Sequence, residues 1–395
     1  MTTQVPTNKA NAAPRWSWHN PSLRAWLYQL ILLAVVGWAV WFLVSNTLAN
    51  LAARNITTGF DFLQREAGFA VSESPVAYRS SDSYSRVIWV GLLNTLKVSA
   101  LGIVLATLFG SLLGMARLSP NWLLSRLAGL YVEVVRNIPL LLQLFFIYAL
   151  ITESLPRPRQ ALQPLPGVFL SNRGFAMPSL DTVSAQWFWG GVAAAILLCI
   201  GLGHWARRRQ EREGRSFPFW RVSLIVLITL PAGLVWVMSP HAALSVPQLQ
   251  GFNFQGGTTL SPEFAALLIG LVVYTSAFIA EVVRSGIQSV TRGQWEAAEA
   301  IGLSRTQQLR LVVMPQALRV IIPPMTSQYL NLTKNSSLAV AIGYPDIVSV
   351  VNTGINQTGQ AIEGILIIMA AYLTVSLSIS VLMNLYNRRM ALVER

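Results

Sequence analysis

The sequence predicts an all-α polytopic integral membrane protein with about eight transmembrane helices, and three observations lead there. Hydrophobic residues fill 53% of the 395 positions and charged residues only 11%, under half of the roughly 25% usual in a soluble domain. The mean hydropathy is +0.50. Cutting the chain at its charges leaves eight intervals that approach or exceed the roughly 20 residues a helix needs to cross a bilayer core.

The first interval, Trp26 to Ala49, is longer than a signal-peptide core and follows a polar lead, so it is expected to stay as an uncleaved anchor. The second, Val87 to Ala116, carries Gly102, Ala106, Gly110 and Gly114 at every fourth position, a small-residue face that lets another helix approach closely. The third, Leu127 to Leu150, is the weakest: Glu133 and Arg136 lie in it, and Pro139 is expected to kink it. The fourth and fifth are Trp187 to Trp205 and Trp220 to Met238, with Cys199 reading as a small hydrophobe. The sixth, Phe264 to Val283, has Glu281 and Arg284 three apart at its end, spaced to form an ion pair at the membrane edge. The seventh, Val320 to Gly343, is interrupted by Pro323, Pro324 and Lys334, and the eighth is Ile365 to Tyr386. Two outside loops are long, Arg54 to Arg86, polar with Ser and Tyr, and Pro156 to Gln186, with five prolines, and neither looks like a folded domain.

Basic residues orient the spans. With both termini cytoplasmic, twenty of the Lys and Arg fall in inside segments and seven in outside ones, leaving Lys97 and Lys334 at membrane depth. The net charge of +13 is thereby topology. Spread over five loops without an aromatic platform, it argues for no nucleic-acid partner. His19, His204 and His241 are too far apart for a ligand cluster, and one cysteine allows neither an internal disulfide nor a CxxC metal site, so no metal site is expected. No nucleophile with a positioned base stands out, and nothing matches the phosphate-binding GxxxxGK[ST] loop, so the chain is not expected to be an enzyme and any nucleotide site must belong to another chain.

One segment between the sixth and seventh spans is unlike an ordinary connection. Trp295 to Ile301 is rich in Ala and Glu and favours helix; Gly302 can supply a left-handed stop; Ser304 with Gln307 forms a capping-box pattern; and Pro315 is expected to interrupt what precedes it. The sequence predicts helix, turn, helix: a stiff knob on the cytoplasmic side.

That loop resembles the EAA motif of the membrane subunits of ABC importers, in which EAA is followed by three residues, Gly, nine residues and an I-x-L-P ending. Glu296, Ala297, Ala298 and Gly302 match outright, and nine residues precede Val312-Val313-Met314-Pro315, with Val for Ile and Met for Leu as departures. Tyr131-Val132-Glu133-Val134-Val135-Arg136-Asn137-Ile138-Pro139-Leu140 with Gln143, and Tyr274, Ala277, Glu281, Arg284, Gly286 and Ile287, are similar to the polar amino acid branch of these permeases. The resemblance implies a type I importer permease core formed by 87–155 and 261–395, with the coupling loop at 293–317. Residues 1–86, with an extra N-terminal helix, and 156–260, with an inserted helix pair, would be additions like those in the enlarged permease subunits of general L-amino acid importers.

The resemblance also implies roles and partners. Glu296 would be the polar contact at the docking end, Ala297 and Ala298 would allow close approach, Gly302 would make the turn, and Ser304 and Pro315 would complete the ATPase-docking set. The partners would be a cytoplasmic ABC ATPase that binds ATP and Mg, a second permease subunit (a paralogue, forming a heterodimer), a periplasmic amino acid binding protein, an amino acid substrate and membrane lipid, all at a bacterial inner membrane. This chain itself would hold no cofactor. The alternative is an ion-coupled secondary carrier or channel without an ATPase; it is disfavoured because the only acids within the spans, Glu133 and Glu281, lie near the cytoplasmic side rather than at the bilayer centre.

Two sets of residues are candidates for the translocation path. Lys97, about ten residues or roughly 15 Å into its span, reads equally as a contact for a substrate carboxylate and as a snorkelling or internally paired cation. Asn331, Thr333, Lys334, Asn335, Ser336 and Ser337 form the densest polar run in any span. They mark either a cavity-lining broken helix or a helix end near the outer surface.

Overall fold

The computed structural model describes residues 21–53, 59–214, 217–239 and 244–390; the start of the polar lead, His19, Arg54, Arg215, His241 and Arg395 lie outside the described residues. Each of the eight expected spans meets a helix or a bent helix pair. In chain order they are α1 (Pro21–Ala53), α2 (Tyr84–Arg117), the pair α3 (Trp122–Asn137) and α4 (Leu140–Ala149), α5 (Thr182–Glu213), α6 (Phe219–Met238) and α7 (Pro262–Gln288). The knob follows as α8 (Arg292–Ala300) and α9 (Arg305–Gln307), then come α10 (Met314–Asn335), α11 (Ile347–Thr358) and α12 (Ala361–Met390). Six of the described helices are long and apolar enough to cross alone, and the two bent pairs raise the total to as many as eight.

Helices α2, α7 and α10 form the centre, with α3 and α4 on α7, and α11 and α12 on α2 and α10. Lipid tails are as apolar as leucine, so contact here depends on close packing and interhelical hydrogen bonds. The small-residue face of α2 supplies the packing: a Cβ on Gly110 would lie 2.7 Å from Ile279 Cβ, and one on Gly114 would lie 2.8 Å from the Ala280 carbonyl oxygen. Gly286 does the same for α10, since a Cβ there would run into Ile321 Cγ1.

Two expectations about the spans need correction. The third span is two helices at 103° rather than one kinked helix. The turn falls at Ile138-Pro139, where both residues are extended, as the residue before a proline prefers. Pro323 and Pro324 do not interrupt the seventh span; α10 runs through both and changes only at Ser336, where a 3₁₀ segment (Ser336–Ile342) leads to Gly343 at φ +79°. Helix α10 packs against α7 and α12 on either side of the missing N–H donors.

The long loops are also more ordered than expected. Residues 59–83 fold back onto the bundle, with Phe62 and Ala67 packed against Tyr84, Val87 and Val350. The Pro156 to Gln186 loop carries short strands: β1 (Leu162–Leu165), β2 (Val168–Ser171), β3 (Gly174–Met177) and β4 (Ser179–Leu180). The segment before α7 supplies β5 (Leu244–Ser245), β6 (Gln248–Gln250), β7 (Asn253–Gln255) and β8 (Thr258–Leu260). β8 completes an antiparallel sheet in the order β1-β2-β3-β8, while β4 pairs with β5 and β6 with β7. The prolines obscured the hairpin signals, which are Pro166-Gly167 with Gly167 at φ +80° and the two-residue turn Asn172-Arg173.

Candidate functional site

The knob takes the shape its residues predict. At the end of α8, Gly302 N–H donates to the Glu299 carbonyl at 2.8 Å and Leu303 N–H to the Ala298 carbonyl at 3.2 Å, with Gly302 at φ +77°. This paired 5→2 and 6→1 pattern closes a helix around a left-handed glycine. Ser304 then opens α9 with both halves of the capping box; its backbone N–H donates to Gln307 Oε1 at 2.9 Å. The Gln308 amide donates to the Leu303 carbonyl at 2.8 Å, and Gln316 Nε2 donates to Gln294 Oε1 at 3.1 Å, tying α8 to the base of α10.

Pro315 does not interrupt this path. A wide π-type turn over Gln308–Val313 passes directly into α10, with Pro315 in its first turn, where a missing N–H costs little. The structure also divides the EAA residues. Glu296, Ala297, Gly302 and Ser304 are exposed, whereas Ala298 is 2% exposed and packed within the chain. Ala298 thus permits the close approach of α8 to the Gln308–Val313 turn of its own chain. Sequence reasoning missed Ile301, an apolar side chain 74% exposed at the tip. Its place in a helix-ending motif next to Gly302 was the available signal.

At the far end of the spans Lys97 is internally paired. Its Nζ lies 2.5 Å from Glu73 Oε1 and 4.3 Å from the centre of the Phe264 ring. Glu73 belongs to the folded-back loop; its Oε2 accepts from Ser261 Oγ at 2.8 Å and its carbonyl accepts from Asn94 Nδ2 at 2.8 Å. The same Asn94 amide donates to the Pro345 carbonyl at 2.9 Å, and Thr95 Oγ1 accepts from Ile347 N–H at 3.1 Å. Lys97, Glu73 and Asn94 therefore join α2, the outer loop and the segment between α10 and α11. Asn94 and Glu73 went unmarked in the sequence, although an asparagine inside an apolar span is itself a signal.

The polar run at the end of α10 is split by face. Thr333 and Ser336 are fully buried, while Asn331 and Lys334 are exposed and Asn335 and Ser337 half-buried. Thr333 and Ser336 bond within their own turns, Ser336 Oγ donating to the Thr333 carbonyl at 2.7 Å. The run does not gather into one site with Lys97, whose ammonium is held by Glu73. At the opposite edge Glu281 bridges two arginines, Arg284 Nη2 at 2.5 Å and Arg117 from α2. Among the described residues no group of three His, Cys, Asp or Glu could hold a metal ion.

A family model described as "Binding-protein-dependent transport system inner membrane component" matches residues 200–392. YhdX of Escherichia coli strain K12, named as an amino-acid ABC transporter permease protein, is 52% identical over 384 residues, which is 96% of this chain and 97% of that protein. The chain belongs to the ABC transporter permeases. This permease is also 44% identical over 390 residues to the general L-amino acid transport system permease protein AapQ of Rhizobium johnstonii, covering 96% of both. It is 40% identical over 399 residues to the glutamate/glutamine/aspartate/asparagine transport system permease protein BztB of Rhodobacter capsulatus, covering 93% of both. The resemblance to enlarged permeases of the general amino acid type is thus borne out, and membership decides against a secondary carrier or channel. The permease is a multi-pass membrane transporter subunit rather than an enzyme, and as an importer permease it works with an ATPase and a binding protein.

Proposed function

We propose that this permease forms half of the path by which an amino acid enters a bacterial cell, and that its 293–317 loop receives the stroke of the ATPase. The observation that carries the docking role is the knob: a helix closed at Gly302, capped at Ser304, tied back by Gln308 and Gln316, and ending in an exposed Ile301. A rigid projection with one apolar side chain at its tip suits insertion into a groove. Glu296, Ala297 and Pro315 are exposed and would meet the groove, while buried Ala298 seats α8 on its own chain. Amino acids are the cargo in this reading because all three relatives above are named as amino acid permeases.

The second permease subunit would be a paralogue, facing the exposed Asn331 and Lys334 of α10 across the translocation path. Both termini and the knob would be cytoplasmic, the outer sheet would face the binding protein, and ATP and Mg would bind to the ATPase. Residues 87–155 and 261–395 would be the moving core, with 1–86 and 156–260 appended to it. ATP-driven closure of the ATPases would draw the knobs together and open the spans outward; hydrolysis would restore the inward-open state.

Photocrosslinking tests the docking role. In a Cys199→Ser background, Ile301→Cys and Glu296→Cys carrying a photoactivatable maleimide should capture the ATPase in membranes, while Ala298→Cys should not. Equal capture from all three, or none from Ile301→Cys in an assembled importer, would remove the docking reading.

A further inference from the structure

At the knob end of the spans, a cavity of about 610 Å³ lies between the end of α2, the first half of α3 and the end of α7. Three arginines line it: Arg117, Arg126 and Arg284. Two are already committed to structure, since Arg117 and Arg284 both hold Glu281, and Arg284 Nη1 also donates to Gln288 Oε1 at 2.6 Å. Arg126 is different. It is exposed, and among the described residues its guanidinium, with five N–H donors, meets no acceptor. Glu133, two turns further along α3, lines the same cavity, and its carboxylate has no partner either.

The charge balance narrows the ligand. Three guanidinium groups against Glu281 and Glu133 leave one net positive charge, which a single monoanion would neutralise. The surroundings narrow it further. Trp122, Leu127 and Leu130 line the cavity too, and they are 75%, 56% and 57% exposed, so its rim is continuous with apolar surface. A cationic recess opening onto apolar helix surface at the end of a membrane span suits an amphiphile with an anionic head, and basic pockets between spans recognise phospholipid headgroups in this way. An exposed tryptophan at the same level is the side chain that favours the headgroup region.

We propose that this recess is a binding site for the phosphodiester of an anionic phospholipid. Arg126 makes the main contact, the free donors of Arg117 assist, and the acyl chains lie along Leu127 and Leu130. Because Arg117, through Glu281, also clamps α2 to α7, bound lipid reinforces the contact just behind the knob.

The test uses the whole importer, delipidated in mild detergent and titrated with phosphatidylglycerol, phosphatidylethanolamine or phosphatidylcholine, with bound lipid counted by native mass spectrometry. Phosphatidylglycerol should bind in preference to the other two. Arg126→Gln should weaken it about tenfold, the loss of one charge-assisted contact, while Arg208→Gln on exposed α5 should leave it unchanged. Equal binding of all three lipids, or an unaltered affinity in Arg126→Gln, would overturn the proposal. So would displacement of the lipid by millimolar inorganic phosphate or by free L-glutamate, because the recess would then belong to a soluble anion.

Discussion

In the α2–α7 pair a Cβ on Gly110 would fall 2.7 Å from Ile279, and in the α5–α6 pair a Cβ on Gly191 would fall 2.6 Å from the Pro231 Cα. Glycine brings both pairs equally close, yet their surroundings differ. Helix α7 also packs against α3, α4 and α10, and over half of its apolar stretch is buried; α5 and α6 pack chiefly on each other and are joined to the rest through β4. The first pair is bridged by the Arg117–Glu281 ion pair, whereas between α5 and α6 a long Cys199 Sγ contact reaches the Ser223 carbonyl at 3.8 Å. The knob is joined along the chain to α7 and, through Gln316 and Gln294, to α10, and α7 packs on α2. Among the described residues the α5–α6 hairpin has far fewer contacts with the rest of the bundle.

The largest expected effect breaks this comparison outright if it fails. Gly110→Val should cost about 1–3 kcal/mol or more from overpacking and sharply reduce recovery of folded permease in fluorescence-detected gel filtration. Gly191→Val, with a similarly close neighbour, should open only the hairpin and leave ATPase binding intact. Equal losses from the two would show that the pairs are energetically alike.

Next comes the outer clasp. Lys97→Met leaves Glu73, only 13% exposed, without its ammonium, and should destabilise the fold by about 1–3 kcal/mol. Adding Glu73→Gln should recover part of that loss in a double-mutant cycle read by denaturation midpoint. Purely additive losses would show that the two side chains act independently.

Much of this contrast was legible in the sequence, and the remainder was hidden for physical reasons. Gly102 to Gly114 and the Ser304–Gln307 box could be read because their signals are local and periodic. The sequence left Lys97 open between a substrate contact and a snorkelling or internally paired cation, because Glu73 lies in a polar loop and no local pattern says which loop folds back over a span. The strands were missed because each is two to four residues long and β3 pairs with β8 across the whole α5–α6 hairpin. Burial splits the EAA alanines because α8 packs on a π-type turn whose existence no spacing rule foretold.

Smaller effects refine the picture. Ser304→Ala should lose about 1 kcal/mol of local helix stability, seen as faster amide exchange over 304–308 with nearly normal uptake. Smallest of all should be a large deletion. Leu180 and Leu244 are paired across β4 and β5, so replacing residues 182–243 by Asn-Gly should close a hairpin turn and leave a permease that inserts and binds its ATPase. Failure to insert would make α5 and α6 part of the working core.

The central claim is that the knob closed by Gly302 docks the ATPase. Gly302 lies at φ +77° with open space around its Cα, so Gly302→Asp strains the turn and adds a charge at the tip without touching the spans. Copurification from membranes in mild detergent, with mass spectrometry of bound chains, should recover a P-loop ATPase with the wild-type permease and lose it with equally expressed Gly302→Asp. Retention of the ATPase by the variant, at wild-type stoichiometry, would contradict the assignment.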